Sequence, residues 1–142
     1  MASTQSEITA LLHSQSEAFR EKDLDRLMSF YSPDIVYYDV VPPLQFVGSA
    51  ELRERFSQWL DGYRGAVDME IRDLHVLASD DFAVACRFSR VRGTLKNGRQ
   101  VGAWVRATSA CQRSNQRWVI THEHVSLPVD LRSGSPAMDL VP

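Results

Sequence analysis

The hydrophobic period of the chain changes near Val67, and that change limits what it can fold into. Before it, apolar residues recur mostly every three or four positions. After it they recur every two. The first spacing marks one face of a helix and the second one face of a strand. Helices gathered in the first half and strands in the second, rather than alternating, point to an α+β architecture. With 142 residues, 44% hydrophobic and 24% charged, the chain can build one core, so a single domain is expected over 1–142.

Local signals place the elements. Thr4 and Glu7 have capping-box spacing ahead of Ile8, Leu11, Leu12 and Phe19, which predicts a first helix. Asp23 is a cap for a short second helix bearing Leu24, Leu27, Met28 and Tyr31, and Pro33 opposes its continuation. "DIVYYDV" alternates as a short strand with Ile35, Tyr37 and Asp39 on one face. Ser49 is a cap for a third helix whose stripe is Leu52, Phe56, Trp59, Leu60 and Tyr63, ended by Gly62 and Gly65. Val67, Met69 and Ile71 then alternate, and Leu74 and Val76 continue on the opposite parity. That switch predicts a bulge near Arg72 and Asp73 that bends the sheet. "DDFAVACRFSRVR", "RQVGAWVRATSACQ" and "RWVITHEHVS" read as strands, joined by turns at "KNG" and "RSNQ". Three helices on a long, bent antiparallel sheet form a cone with a pocket at its open end. The tail from about 129 to 142, with Gly134 and Pro136, is expected to run irregularly over the surface.

A formal charge of −2 gives no broad basic field for nucleic acid or an anionic membrane. No stretch approaches the ~20 apolar residues of a membrane span, and the start has no basic head with a long apolar run. A soluble, cytoplasmic protein is the expectation. Cys86 and Cys111 lie in apolar strand-like runs and read as buried reduced thiols. There is no phosphate-binding glycine loop, nucleophile elbow, zinc spacing or dinucleotide fingerprint, so no cofactor is implied.

The order of elements, "EKDLDRLMSFYSPDIVYYDV" and the closing "RWVITHEHVSLP" resemble the nuclear transport factor 2-like superfamily, in its SnoaL-like, ketosteroid-isomerase-homologue branch. The resemblance covers about residues 5–128, and "DLRSGSPAMDLVP" also looks like tails in that branch. It implies the cone fold and a homodimer. The superfamily's functions range from isomerases, cyclases and dehydratases to binders without chemistry. Asp39 falls where ketosteroid isomerases carry their base. Their oxyanion residues are not matched: those positions fall at about Gln15, near Arg106 and at Phe56.

Several residues can carry chemistry. A carboxylate at Asp39, among Tyr37, Tyr38 and "VVPP", suits a base if it lines the pocket, and is otherwise a solvated strand end. Trp104, Arg106 and Thr108 share one strand face, as do Trp118, Ile120, His122 and His124. A three-residue turn at "RSNQ" sets His124 opposite Arg106 and His122 opposite Thr108. A three-residue turn at "KNG" sets Arg106 opposite Phe88 and a two-residue turn opposite Ser89. The first is preferred, because it joins Arg106 to the apolar face of Phe82, Val84, Cys86 and Phe88.

On that register Arg106 lies inside the cone and needs a carboxylate, for which Asp39 is the candidate. Otherwise Arg106 faces solvent or a subunit. His122 and His124 point the same way, with Glu123 on the opposite face. Two imidazoles lack a third ligand, so metal is disfavoured, while a pocket role and structural packing stay open.

The expected site is therefore Asp39, Arg106, His122 and His124 for chemistry, with Tyr37, Phe56, Trp59, Tyr63, Phe88, Trp104 and Thr108 around the ligand, and no metal. The expected ligand is a small, mostly apolar carbonyl compound. The expected activity is a cofactor-independent isomerase, cyclase or lyase; the alternative is a non-catalytic ligand-binding or dimerisation module.

Overall fold

A computed structural model describes residues 3–142. Helix α1 spans Thr4–Glu21, and its cap is Ser3 rather than Thr4: the Ser3 side chain accepts the Ser6 N–H at 3.1 Å. Glu7 closes no capping box. Its Oε2 reaches across to the sheet, accepting from Trp118 Nε1 at 2.5 Å and pairing with Arg113 at 3.3 Å. Helix α2 spans Leu24–Met28 and is capped by Asp23, which accepts the Arg26 N–H. Strand β1, Tyr31–Tyr38, starts earlier than the alternation of "DIVYYDV" suggests and contains Pro33. The missing N–H is tolerated because Pro33 lies where the β1 pairing is irregular, between Tyr31 and Val36.

Strand β2 is Phe46–Val47, and helix α3 is Ser49–Asp61. Gly48, at φ 89, takes the cap position expected for Ser49. Strand β3, Tyr63–Ala78, begins at Tyr63, which therefore belongs to the sheet rather than to the helix stripe. Its pairing with β4, Phe82–Leu95, slips between Arg72 and His75, with Asp73 at φ 56, as the parity switch predicts. The next run is two strands, β5 (Gln100–Val101) and β6 (Trp104–Ser114), interrupted at Gly102 and Ala103. Strand β7 spans Arg117–Ser126. The tail is more ordered than expected: β8 (Val129–Asp130) and β9 (Ser135–Pro136) pair, and Ala137 N–H donates to Pro128 O at 2.8 Å.

The sheet order is β2-β1-β7-β6-β4-β3, with β5 on β4; among the described residues only β1 and β7 run parallel. Helices α1 and α3 bring Ile8, Leu12, Phe19, Leu52, Phe56 and Leu60 onto its concave face, over Met69, Val76, Ala83, Ala85, Cys111 and Ile120. Phe56 is central, with the rings of Phe19, Tyr37 and Tyr31 at 5.5, 5.5 and 5.6 Å. Small residues on the strands leave room for these large helix side chains. Both cysteines are free, but only Cys111 is buried, and burial pushes its thiol up to about 12. Cys86 is exposed, because its parity on β4 points it to the convex face.

Candidate functional site

One irregular residue decides which side chains enter the cone. The β6–β7 turn is Asn115–Gln116, both at positive φ, so Ser114 pairs with Arg117 and Arg113 with Trp118. The register then shifts: Cys111 pairs with Ile120, but Ala110 pairs with His122. Thr121 is the extra residue of a β-bulge, and its hydroxyl donates to Ala110 O at 3.2 Å. Before the bulge Trp118 and Ile120 face inward. After it Glu123 and Val125 do, and His122 and His124 turn outward.

Glu123 ends up 3% exposed, on the floor of a hollow of about 230 Å³. The walls are largely apolar: Phe19, Phe56 and Trp59 from the helices, and Tyr37, Tyr63, Met69, Val91, Val105 and Val125 from the sheet. Leu127 and, from the tail, Met138 stand among the lining residues.

The floor is a chain of hydrogen bonds converging on the Glu123 carboxylate. Tyr31 OH donates to Oε1 at 2.7 Å, and Ser109 Oγ donates to Oε2 at 2.6 Å. Arg87 pairs with Oε2 at 3.4 Å and donates to Ser109 Oγ at 2.6 Å. Gln15 Nε2 donates to Tyr31 OH at 2.6 Å and approaches Oε2 at 3.4 Å. Arg87 is 5% exposed and Gln15 1%. A buried ion pair needs such added hydrogen bonds to offset its desolvation.

A second ion pair stands in the wall. Asp39 Oδ2 accepts from Arg55 Nε at 2.8 Å, and Oδ1 accepts the Val40 N–H at 2.7 Å. The side chains are 8% and 19% exposed. Tyr37 lies between the two pairs. Burial first, then the charges of Glu123 and Asp39, hold its phenol well above its ordinary pKa, against the opposing effect of Arg55 and Arg87. Tyr31 is raised likewise, by burial and then by Glu123. Both phenols stay protonated donors.

Asp39, Tyr37, Phe56, Trp59 and Tyr63 thus meet around one hollow. The other expected residues lie on the convex face. Arg106 does pair with Phe88, as the three-residue "KNG" turn requires, but that whole row faces outward. Arg106 is exposed and donates to Ser126, not to Asp39. Thr108 is exposed opposite His124, and His122 bonds Val36 O at 2.7 Å. Trp104 is covered by the guanidiniums of Arg90 and Arg72, at 4.7 and 5.7 Å.

The expected arginine–aspartate pair exists with a different arginine, Arg55. The face expected to be inside is outside because β4 is apolar on both faces, with Ala83 and Ala85 inward and Val84 and Phe88 outward. Arg87 lies between Ala85 and Ser89 on the inward face of β4, and Glu123 on the inward face of β7; charge alone does not single them out, because β4 also carries Arg90 and Arg92 and β7 carries Arg117. Among the described residues, no three His, Cys, Asp or Glu side chains are grouped as metal ligands.

A cone of this topology around a hollow is the nuclear transport factor 2-like fold. The SnoaL-like domain family matches residues 8–130, and the chain belongs to that family. An NTF2-like protein of unknown function from Pseudomonas putida KT2440 is 28% identical over 100% of both chains, with a TM-score of 0.87. A ketosteroid isomerase-like protein from Erwinia carotovora atroseptica SCRI1043 is 22% identical over 85% of this chain and 93% of its own, with a TM-score of 0.73. The association domain of CaMKII from C. elegans is 18% identical over 86% and 94%, with a TM-score of 0.70. At that distance the last two share the fold alone. No curated protein matches the chain significantly.

Proposed function

We propose that the hollow binds a small, mostly apolar carbonyl compound and that Asp39 moves a proton on it without a cofactor, as an isomerase, cyclase or lyase does. The observation that carries this reading is a carboxylate only 8% exposed in the largely apolar wall of the hollow. Arg55 and the Val40 N–H orient it, each using one lone pair of an oxygen and leaving others for a substrate C–H. Tyr37, two residues earlier, shares its face and supplies a neutral O–H toward a developing enolate oxygen. Apolar walls strengthen both interactions by excluding water.

The binding reading is tested with the three tryptophan indole N–H signals in a nitrogen–proton correlation spectrum. Cyclohexanone is expected to move the Trp59 signal in a saturable way and to leave Trp104 and Trp118 in place, since only Trp59 lines the hollow. A saturating titration that leaves Trp59 unmoved contradicts it.

A second reading, a binding module without chemistry, is favoured by one fact: both Asp39 oxygens already accept a hydrogen bond from the protein itself. Saturable binding without proton exchange separates the two. In either case the chain is read as one domain, core and tail together, that pairs as a homodimer through the convex sheet face. There Tyr38 stacks edge-on with His122 and His124 at 4.8 and 5.3 Å, and Phe82 and Leu77 are exposed. Sedimentation is expected to give twice the 16.1 kDa chain mass, and a monomer at micromolar concentration rejects the pairing. Two unpaired cysteines fit a reducing, cytoplasmic setting.

No helix among the described residues is long and apolar enough to cross a membrane.

A further inference from the structure

The sheet side of the hollow carries two buried hydroxyls that neither ion pair uses. Tyr37, on β1, is 6% exposed, and Ser89, on β4, is 5% exposed. Both line the hollow, on the inward faces of their strands. Among the described residues neither hydroxyl has a hydrogen-bond partner, and neither is one of the polar atoms sealed off from the surface, as Gln15 Oε1 and Arg87 Nε are. A group in the hollow therefore reaches both. Ser89 is the less expected of the two. It pairs with Val105 on β6 and Ile71 on β3, with Val91 next on its face, in an apolar part of the wall. An alanine fits there without burying a hydroxyl, and a buried hydroxyl without a partner costs free energy.

The two hydroxyls stand well apart. Strands β7 and β6 run between β1 and β4, so three strand spacings, about 14 Å, separate their backbones across the sheet. Along the sheet, Tyr37 is level with Glu123, Ser109 and Ala85, and Ser89 lies four residues, about 13 Å, past Ala85. No single ligand atom serves both. Once the long tyrosine side chain has reached inward, the gap that remains is on the scale of one six-membered ring with an oxygen at each end.

We infer that the ligand carries a second, neutral oxygen, a hydroxyl or a carbonyl, across its ring from the reacting carbonyl, and that Ser89 is the residue that selects for it. Tyr37 serves the reacting carbonyl, which leaves Ser89 for the far end. An alkyl group there leaves the Ser89 hydroxyl bare. A carboxylate brings a charge into a wall where both ion pairs are already neutral, and one hydroxyl does not offset its desolvation. A ligand hydroxyl or carbonyl each completes Ser89, because a serine hydroxyl both donates and accepts. The inference rests on the hollow being a ligand site, as proposed above, and it adds the chemistry of the end remote from Asp39.

The test uses three cyclohexanones that differ only on the ring carbon opposite the carbonyl, which bears a hydroxyl, a second carbonyl or a methyl group. Dissociation constants are read from the Trp59 indole signal. Ser89→Ala is expected to weaken binding of at least one oxygenated probe about tenfold, the cost of leaving its buried oxygen without a partner. The methyl probe is expected to change by about twofold or less, because it makes no hydrogen bond to Ser89. Which oxygenated probe loses more tells a hydroxyl ligand from a carbonyl one. If Ser89→Ala does not fold, Ser89→Cys, of similar shape and a weak donor, takes its place with the same expected direction. A loss shared equally by the methyl probe overturns the inference, as does no loss for either oxygenated probe, or a wild type that binds the methyl probe and neither of the others. Silence of Trp59 toward all three probes overturns the pocket reading itself, so the two failures are distinct.

Discussion

Replacing Glu123 by leucine is expected to lower the unfolding free energy by about 3–5 kcal/mol, the range for breaking a buried ion pair from one side. The substitution strands Arg87 at 2% side-chain exposure with no counter-charge. It also frees the hydroxyls of Tyr31 and Ser109 and one amide proton of Gln15 from their acceptor. The double replacement, Glu123→Leu with Arg87→Met, removes the uncompensated charge and is expected to recover a large part of the loss. Urea unfolding of the wild type, both single variants and the double gives the coupling between the two residues. A coupling above about 2 kcal/mol agrees with a mutually dependent pair, and strict additivity does not.

Asp39→Asn is expected to reduce proton transfer by about a thousandfold, within the range a positioned general base contributes. Asparagine keeps the shape and its carbonyl still accepts the Val40 N–H, but its amide NH2 then faces the Arg55 Nε–H, so the Arg55 bond is lost together with the base. The stability loss is expected to be smaller than for Glu123, since Arg55, at 19% side-chain exposure, can turn toward solvent more readily than Arg87 at 2%. The contrast with Glu123 separates two expected roles: a floor pair that holds the cone together, and a wall carboxylate that on the proposed function moves the proton.

Much of the architecture is legible in the sequence because period and turn chemistry are local. The Asp23 cap and the bend at Arg72 and Asp73 follow from spacing; the pairing of Phe88 with Arg106 is preferred over Ser89 for an apolar row that proves to face outward. The direction in which a strand faces is not local. Alternation on β4 is readable, but both of its faces are apolar, and only the helices laid across Ala83 and Ala85 make one of them the inside. The "THEHV" run shows the same limit more sharply. Its alternation places the histidines on one face and Glu123 on the other, and that relation holds in the structure. The bulge at Thr121 selects which face enters the hollow, and no turn residue in the sequence marks it. Arg106 drew attention because its preferred register joined it to an apolar row, while Arg87, on the neighbouring strand β4, is the arginine that lies inside. Asp39 is legible through the resemblance; its partner Arg55, sixteen residues on and on a helix, is not, because contacts between a strand end and a helix depend on packing.

The central claim is that Asp39 takes a proton from a molecule bound in the hollow. The most direct measurement is deuterium incorporation at the α-carbons of cyclohexanone in heavy water, followed by proton NMR with wild type and Asp39→Asn at equal concentration. The account predicts exchange faster than in buffer with the wild type and at least about a hundredfold less acceleration with the variant, both proteins being folded. Equal exchange rates with wild type and Asp39→Asn contradict it.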